Sequence, residues 1–274
     1  MSIARGPVRP TKPRPQPFPI VAACAAIALT VVMLWDWEYG SGFSLRDAID
    51  RLTTSNPVIS AIPHADLGQI FSERSRGPFV ETLRLAIVST LAGSVVALPM
   101  ALWSTQFGAP TRAVRVAVRS VSNVIRSFPD VLWALLFVAA VGIGVLPGLL
   151  ALFFFTIAVV VKLTADTLDG IDMGPIEAAE AGGARHTQML RTAAVPQILP
   201  AYASFVLYAF ELNLRASAVI GLVGAGGIGS RLQFYVGPYP GADRWEKVWG
   251  IVVMFVVVVF LVDQFSAWLR RRLV

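Results

Sequence analysis

IDMGPIEAAEAGGARHTQMLRTAAVPQILP, residues 171–200, is the longest break between strongly apolar segments in the second half of the chain. The segments on either side, 147–161 and 198–223, are apolar enough for lipid. Asp169, Asp172, Glu177, Glu180, Arg185, His186 and Arg191 lie between them, which puts this part of the chain in water. Its composition is still that of helices. Pro175 can open a helix, because the N–H it lacks is not needed in the first turn. Residues 177–181 are good helix formers, Gly182-Gly183 stop that helix, and residues 185–194 can form a second one. A short Ala-rich helix with few bulky side chains can fit closely into a groove on another protein.

The chain has 274 residues, 55% of them hydrophobic and 15% charged. Its mean hydropathy is +0.66. A soluble domain carries about 25% charged residues, so the composition is that of a membrane protein. Cys24 is alone in an apolar run, which excludes a disulfide framework or a cysteine metal cluster. His64 and His186 are too few and too far apart for a zinc site and read as structural or surface residues. The net charge of +6 comes from basic residues flanking apolar spans, a pattern of membrane topology and not of nucleic-acid binding.

Residues 1–19 hold Arg5, Arg9, Lys12 and Arg14 among prolines and no acid, so a disordered basic tail is expected. Residues 20–35 are almost wholly apolar and end in the aromatic cluster at 35–39, without a small-x-small cleavage site. A retained first transmembrane helix with its N-terminus in the cytoplasm is expected. Residues 36–78 are polar. Ser44 with Asp47 makes a capping-box-like start, with Leu45, Ala48, Ile49 and Leu52 on one helical face. Leu67, Ile70 and Phe71 repeat that pattern briefly. The segment reads either as an amphipathic helix on the outer membrane surface or as a plain loop.

Residues 79–103 form a second span rich in small residues, which favours close helix packing in lipid. Arg112, Arg115 and Arg119 mark the next loop as cytoplasmic. Residues 121–141 are the third span, kinked by Pro129. The run 142–147 is a tight outer turn, and 148–165 return to Lys162 at the inner interface. Residues 198–223 climb out again, and 247–268 are the last span before Arg270, Arg271 and Arg272. The expected fold is therefore all-α, with six transmembrane helices and both termini cytoplasmic. A five-helix core covers 79–268, with a cytoplasmic loop at 166–197, and a basic tail follows at 269–274. Expected cytoplasmic segments hold thirteen Lys or Arg and outer segments seven, the bias this topology requires.

Gly224 to Gly229 matches the dinucleotide fingerprint G-x-G-x-x-G, but that motif needs a short strand before it. An apolar segment precedes it instead, so a flexible turn at the outer end of a membrane helix is expected. No G-x-x-x-x-G-K-[ST] loop occurs, so any ATP-driven step depends on another chain. Charged groups inside spans are costly and usually functional. Arg126 with Asp130, and Glu211 with Arg215, are i, i+4 pairs on one helical face. They read either as mutually neutralising structural pairs or as a pathway lining in which Arg126 and Arg215 favour an anion. Asn213 and Ser217 add hydrogen-bonding groups beside Arg215.

Glu177-Ala178-Ala179, with Gly183 six residues after the Glu and then Pro196, resembles the E-A-A-x-x-x-G-(x9)-I-x-L-P signature of bacterial ABC-importer permeases. Ala193 stands where Ile is usual and Val195 where Leu is usual. Residues 81–90, 125–129 and 211–229 look like the phosphonate-importer permeases in particular, and the resemblance spans roughly 79–268. It implies a type I importer permease fold in a bacterial inner membrane. It also implies a pathway made with a second permease copy or close paralogue, two ATPase subunits that bind ATP and Mg, and an extracytoplasmic binding protein. The chain itself would carry no catalytic residue, metal or cofactor. Glu177, Ala178, Ala179, Glu180, Gly183 and Pro196 would form the coupling segment seated on the ATPase. The implied cargo is phosphonate or a related phosphorus oxyanion such as phosphate or phosphite. The rivals are a methionine-type importer, which the basic residue in Glu211–Arg215 disfavours, and an ion-coupled secondary transporter, for which no internal repeat is found.

Overall fold

The computed structural model describes residues 17–34, 49–50, 52–53, 56–70, 72–237 and 239–273, and every regular element among them is helical. The chain divides into two compact units, Met1–Ser60 and Ala61–Val274. Residues 1–16, the aromatic cluster at 35–39, the Ser44–Asp47 helix start and Phe71 lie outside the described residues.

In the first unit, α1 runs Pro17–Leu34 and α2 is a single turn at Pro57–Ser60. Residues 17–19, expected in the tail, instead open α1, because proline is tolerated in a first helical turn. Residues 21–32 are exposed on every face of α1, including Val21, Ile27 and Leu29, as suits a helix surrounded by lipid.

The second unit begins with two 3₁₀ turns, Ile62–His64 and Leu67–Ile70, where an amphipathic helix or a loop was expected. The Asp66 N–H donates to the Glu246 carbonyl at 2.9 Å, tying this segment to the start of the last helix. Helix α3, Glu73–Ser104, starts earlier than the span expected at 79. Pro78 is tolerated inside it because the Arg74 carbonyl, left without its helical donor, accepts from Arg231 Nε at 3.2 Å.

The expected third span, 121–141, is two helices. α4 (Arg112–Ser127) and α5 (Asp130–Val141) meet at an angle of 89°. Phe128 precedes proline and is extended at ψ 126°, so the helix ends before it. At about 1.5 Å per residue, α5 is roughly 18 Å long, short of the ~30 Å hydrocarbon layer. Helix α6 follows at Val145–Leu168, α7 at Gly174–Ala181, α8 at His186–Gly221, α9 at Gly227–Val236 and α10 at Arg244–Leu273. The second short helix expected at 185–194 is the start of α8. It widens into a π segment at Leu190–Ala194 just before Pro196, which cannot donate to the ladder.

Four helices, α3, α6, α8 and α10, are long and apolar enough to cross a membrane, and the bent pair α4–α5 raises the count to five. Half of the apolar window of α3 and of α6 is buried, against 17% for α10, so α3 and α6 are central and α10 is peripheral. Small residues let the central pair close up: a Cβ on Gly93 would lie 2.6 Å from the Thr156 Cβ. Along α3, Thr82 meets Ile228 of α9, while Thr90 meets Asn213 and Ser94 meets Tyr202, so α8 runs antiparallel to α3.

Candidate functional site

Helix α7 is built as its composition requires. Pro175 stands in its first turn, and Gly183 has φ +74°, which favours glycine. The Gly183 N–H donates to the Glu180 carbonyl at 2.9 Å and the Ala184 N–H to Ala179 at 3.0 Å, the paired bonds of a Schellman stop. Ile176 is the one fully buried residue of α7, at 1% exposure, and enters the core cluster of Leu168, Met189 and Ile198. Ala179, one turn on, packs half-buried against the same cluster. Ala179 therefore packs in part on this chain's own core. Glu177, Ala178, Glu180, Ala181 and Gly183 are exposed, and so is Pro196 just after the π segment of α8.

The loop is clamped at both ends. Gln197 Oε1 accepts from the Asp172 N–H at 3.2 Å, and Gln197 Nε2 donates to the Asp172 carbonyl at 3.1 Å. His186 Nε2 lies 3.1 Å from the Gly108 carbonyl, the structural role expected of it. Gln188 Oε1 accepts from the Arg185 N–H at 2.9 Å where α8 begins. These bonds tie the loop to the start of α8 and to the turn after α3.

The six polar residues considered for a pathway are not brought together. Arg126 and Asp130 lie on opposite sides of the α4–α5 break, so they are not neighbours on one helical face. Arg126 Nη2 donates to Asn123 at 3.2 Å, and Asp130 accepts from the Val131 N–H at 3.0 Å. Glu211 and Arg215 do share a face of α8, but each pairs with α10. Arg215 bonds Asp263, and Arg270 Nη1 lies 2.7 Å from Glu211. Asn213 and Ser217 point the other way and are fully buried. Asn213 Nδ2 donates to Thr90 and Thr156, each at 2.7 Å. The acceptor role of those hydroxyls is fixed, because each spends its proton on the carbonyl four residues back.

Asp263 and Arg270 were missed from the sequence as partners. The signal was present, because Asp263 is the only acid between Glu246 and the C-terminus. The glycine stretch is close-packed and not a flexible turn. A Cβ on Gly229 would lie 2.7 Å from the Gly221 Cα, and one on Gly148 would lie 2.3 Å from the Ala225 carbonyl. Glu81 accepts from the Gly227 N–H and Thr82 from the Ile228 N–H, both at 2.7 Å, capping α9 from α3.

Residues 93–274 match the family described as binding-protein-dependent transport system inner membrane component. The phosphite transport system permease protein PtxC of Stutzerimonas stutzeri is 38% identical over 198 residues, 71% of this chain and 70% of that protein. The phosphate-import permease protein PhnE of Mycolicibacterium smegmatis is 37% identical over 197 residues, 71% of this chain and 36% of that protein. A solved inward-facing form of the MetNI methionine ABC transporter superposes with TM-score 0.62 at 25% identity, covering 74% of this chain and 99% of that one. The all-helical architecture is thus that of type I ABC importer permeases, and the apolar helices make it a multi-pass protein. The chain belongs to the binding-protein-dependent transport system inner membrane component family.

Proposed function

We propose that this chain is the membrane permease of an ATP-driven importer for a phosphorus oxyanion: phosphonate, phosphate or phosphite. One observation carries the coupling role. A short helix projects between two spans with Glu177, Ala178 and Ala181 exposed, while Ile176 locks its other face to the core. Such a helix offers a partner a small-residue surface and transmits its displacement directly to α6 and α8. The partners are two copies of an ATPase that binds ATP and Mg, a second permease copy or close paralogue, and an extracytoplasmic binding protein. The loop lies on the cytoplasmic side by the distribution of Lys and Arg. Relatives at 37–38% identity are named for phosphite and phosphate, which supports the oxyanion over methionine, whose importer shares the fold at 25%.

The test is reconstitution with the cognate ATPase and binding protein in proteoliposomes, following uptake and ATP hydrolysis together. Ala178→Trp, on the exposed face, should leave the permease folded and abolish uptake stimulated by the binding protein. Normal uptake in that variant excludes the coupling role. The permease purified alone should hydrolyse no ATP, and hydrolysis without a partner refutes the subunit assignment. Titrating the binding protein with phosphonate, phosphate and phosphite identifies the cargo.

A further inference from the structure

A cleft of about 250 Å³ opens between α4 and the second half of α6. α4 contributes Arg119, Ser122 and Arg126, and Lys162, Asp166 and Asp169 line the other wall. It lies level with Ser104 and Leu168, where α3 and α6 end, and so at a membrane interface. Exposed Val116, Val121 and Val124 on α4 supply the apolar face that an interfacial helix needs.

The charges in the cleft do not cancel. Lys162 Nζ lies 2.5 Å from Asp166. Arg119 lies 3.7 Å from Asp169 and donates through Nε to the Ser104 carbonyl at 2.6 Å, which fixes its direction. Two carboxylates are thus matched by two cations. Arg126 is the third cation. Its contact is the neutral Asn123 carbonyl oxygen at 3.2 Å, and among the described residues no carboxylate pairs with it. Ser122, one turn before Arg126 on the same helix, keeps its hydroxyl buried with no hydrogen-bond partner.

An unpaired guanidinium and an unused hydroxyl lining one polar cleft at an interface suit an anion with several oxygens. We propose that the cleft binds one phosphate-type oxyanion, with the Arg126 fork on two oxygens and the Ser122 hydroxyl on a third. A phospholipid headgroup and a free phosphate present the same group here. This binding does not depend on which anion the permease carries. The two carboxylates weaken it, so removing one should tighten it. That sign separates an anion site from a set of structural ion pairs.

The experiment uses the full-length chain in a detergent with a neutral headgroup. Inorganic phosphate is titrated by calorimetry, and dioleoyl-phosphatidylglycerol is compared with diacylglycerol by native mass spectrometry. One equivalent of a probe should bind. Arg126→Gln should weaken it at least about tenfold, as for a lost charge-assisted pair. Asp166→Asn should tighten it severalfold, and Arg244→Gln, outside the cleft, should leave it unchanged. Saturable phosphate binding identifies a free anion as the occupant. Phosphatidylglycerol binding that phosphate does not displace identifies the headgroup. Should Arg126→Gln fail to fold, Ser122→Ala, which removes no charge, should weaken the same probe about threefold. Binding of neither probe overturns the proposal, and so does a weakening by Asp166→Asn.

Discussion

Replacing Ile176 with alanine isolates what α7 does, because this side chain supplies almost all of the helix's hold on the core. It is 1% exposed among Leu168, Met189 and Ile198, whereas every other residue of α7 is exposed or, like Ala179, half-buried and small. A buried Ile→Ala change costs about 2–5 kcal/mol, made up of lost transfer free energy and the cavity left behind. An eight-residue helix has too few turns to persist without packing, so the loss falls on the docking of α7 and not on the bundle. At about 3 kcal/mol the undocked population rises on the order of a hundredfold, since roughly 1.4 kcal/mol is tenfold. Ile176→Val, at about 1 kcal/mol, should raise it only about fivefold.

Two readouts are needed. Hydrogen exchange of the peptide covering residues 174–184 should accelerate in the order wild type, Val, Ala, while exchange in α3 and α6 stays the same. In proteoliposomes with the ATPase and binding protein, transported anion per ATP should fall in the same order. Faster exchange with an unchanged transport ratio refutes coupling through α7. Unchanged exchange refutes the anchoring role of Ile176 itself.

Arg215→Ala should lower uptake, and Asp263→Asn should do so to a similar degree because the two side chains meet between α8 and α10. Exchanging the charges as Arg215→Asp with Asp263→Arg should restore assembly by about 1 kcal/mol, measured as a double-mutant cycle on thermal stability. If the exchange restores assembly but not uptake, Arg215 contacts cargo as well. Gly229→Ala places a methyl group against the Ala218 carbonyl and the Gly221 Cα, so overpacking should cost about 1–3 kcal/mol and lower the melting temperature. In the turn before α10, the hydrogen bond from Lys247 holds the Asp243 carboxyl below its ordinary range, helped by the Tyr239 hydroxyl. A depressed acid contributes stability above its unfolded pKa and loses it as pH falls through the lowered value. Tryptophan fluorescence from Trp245 should therefore change on acidification below the normal carboxylate range, and Asp243→Asn should remove that step.

The helices and the loop at 171–200 were legible because both rest on local chemistry. Pro175, the 177–181 run and Gly183 act within one turn of themselves, and α7 has the limits they imply. Proline also marked residue 129 as a disturbance, but the 89° turn was not readable. That angle is held by contacts across the break, including the bond from Trp133 Nε1 to the Ile125 carbonyl at 3.3 Å. The i, i+4 pairs failed for a related reason. Spacing says which side chains can reach each other on one helix, but not which neighbouring helix offers a better partner. Arg270 took Glu211 and Asp263 took Arg215 because α10 lies against that face. The glycine run was recognised as a turn. Its tightness was hidden, since the atoms that crowd Gly224, Gly226, Gly227 and Gly229 belong to other elements.

The block 211–217 now divides into two opposite faces of α8, and that division explains why so many polar residues are tolerated in one apolar run. Residues four apart share a face and residues two apart do not. Glu211 and Arg215 therefore point together toward α10, and Asn213 and Ser217 together toward α3 and α6. On the inner face, the hydroxyls of Ser89, Thr90 and Thr156 already donate to their own helices, leaving only lone pairs for a neighbour. An amide –NH₂ fits that need, and a carboxylate in its place would meet nothing but acceptors. Aspartate at 213 should therefore be far more damaging than leucine, although it is closer in shape. On the outer face the requirement is reversed. Arg215 and Glu211 are paired by charges on the peripheral α10, the least buried of the four candidate spans. One face of α8 locks the central helices together, and the other carries the charges that hold α10.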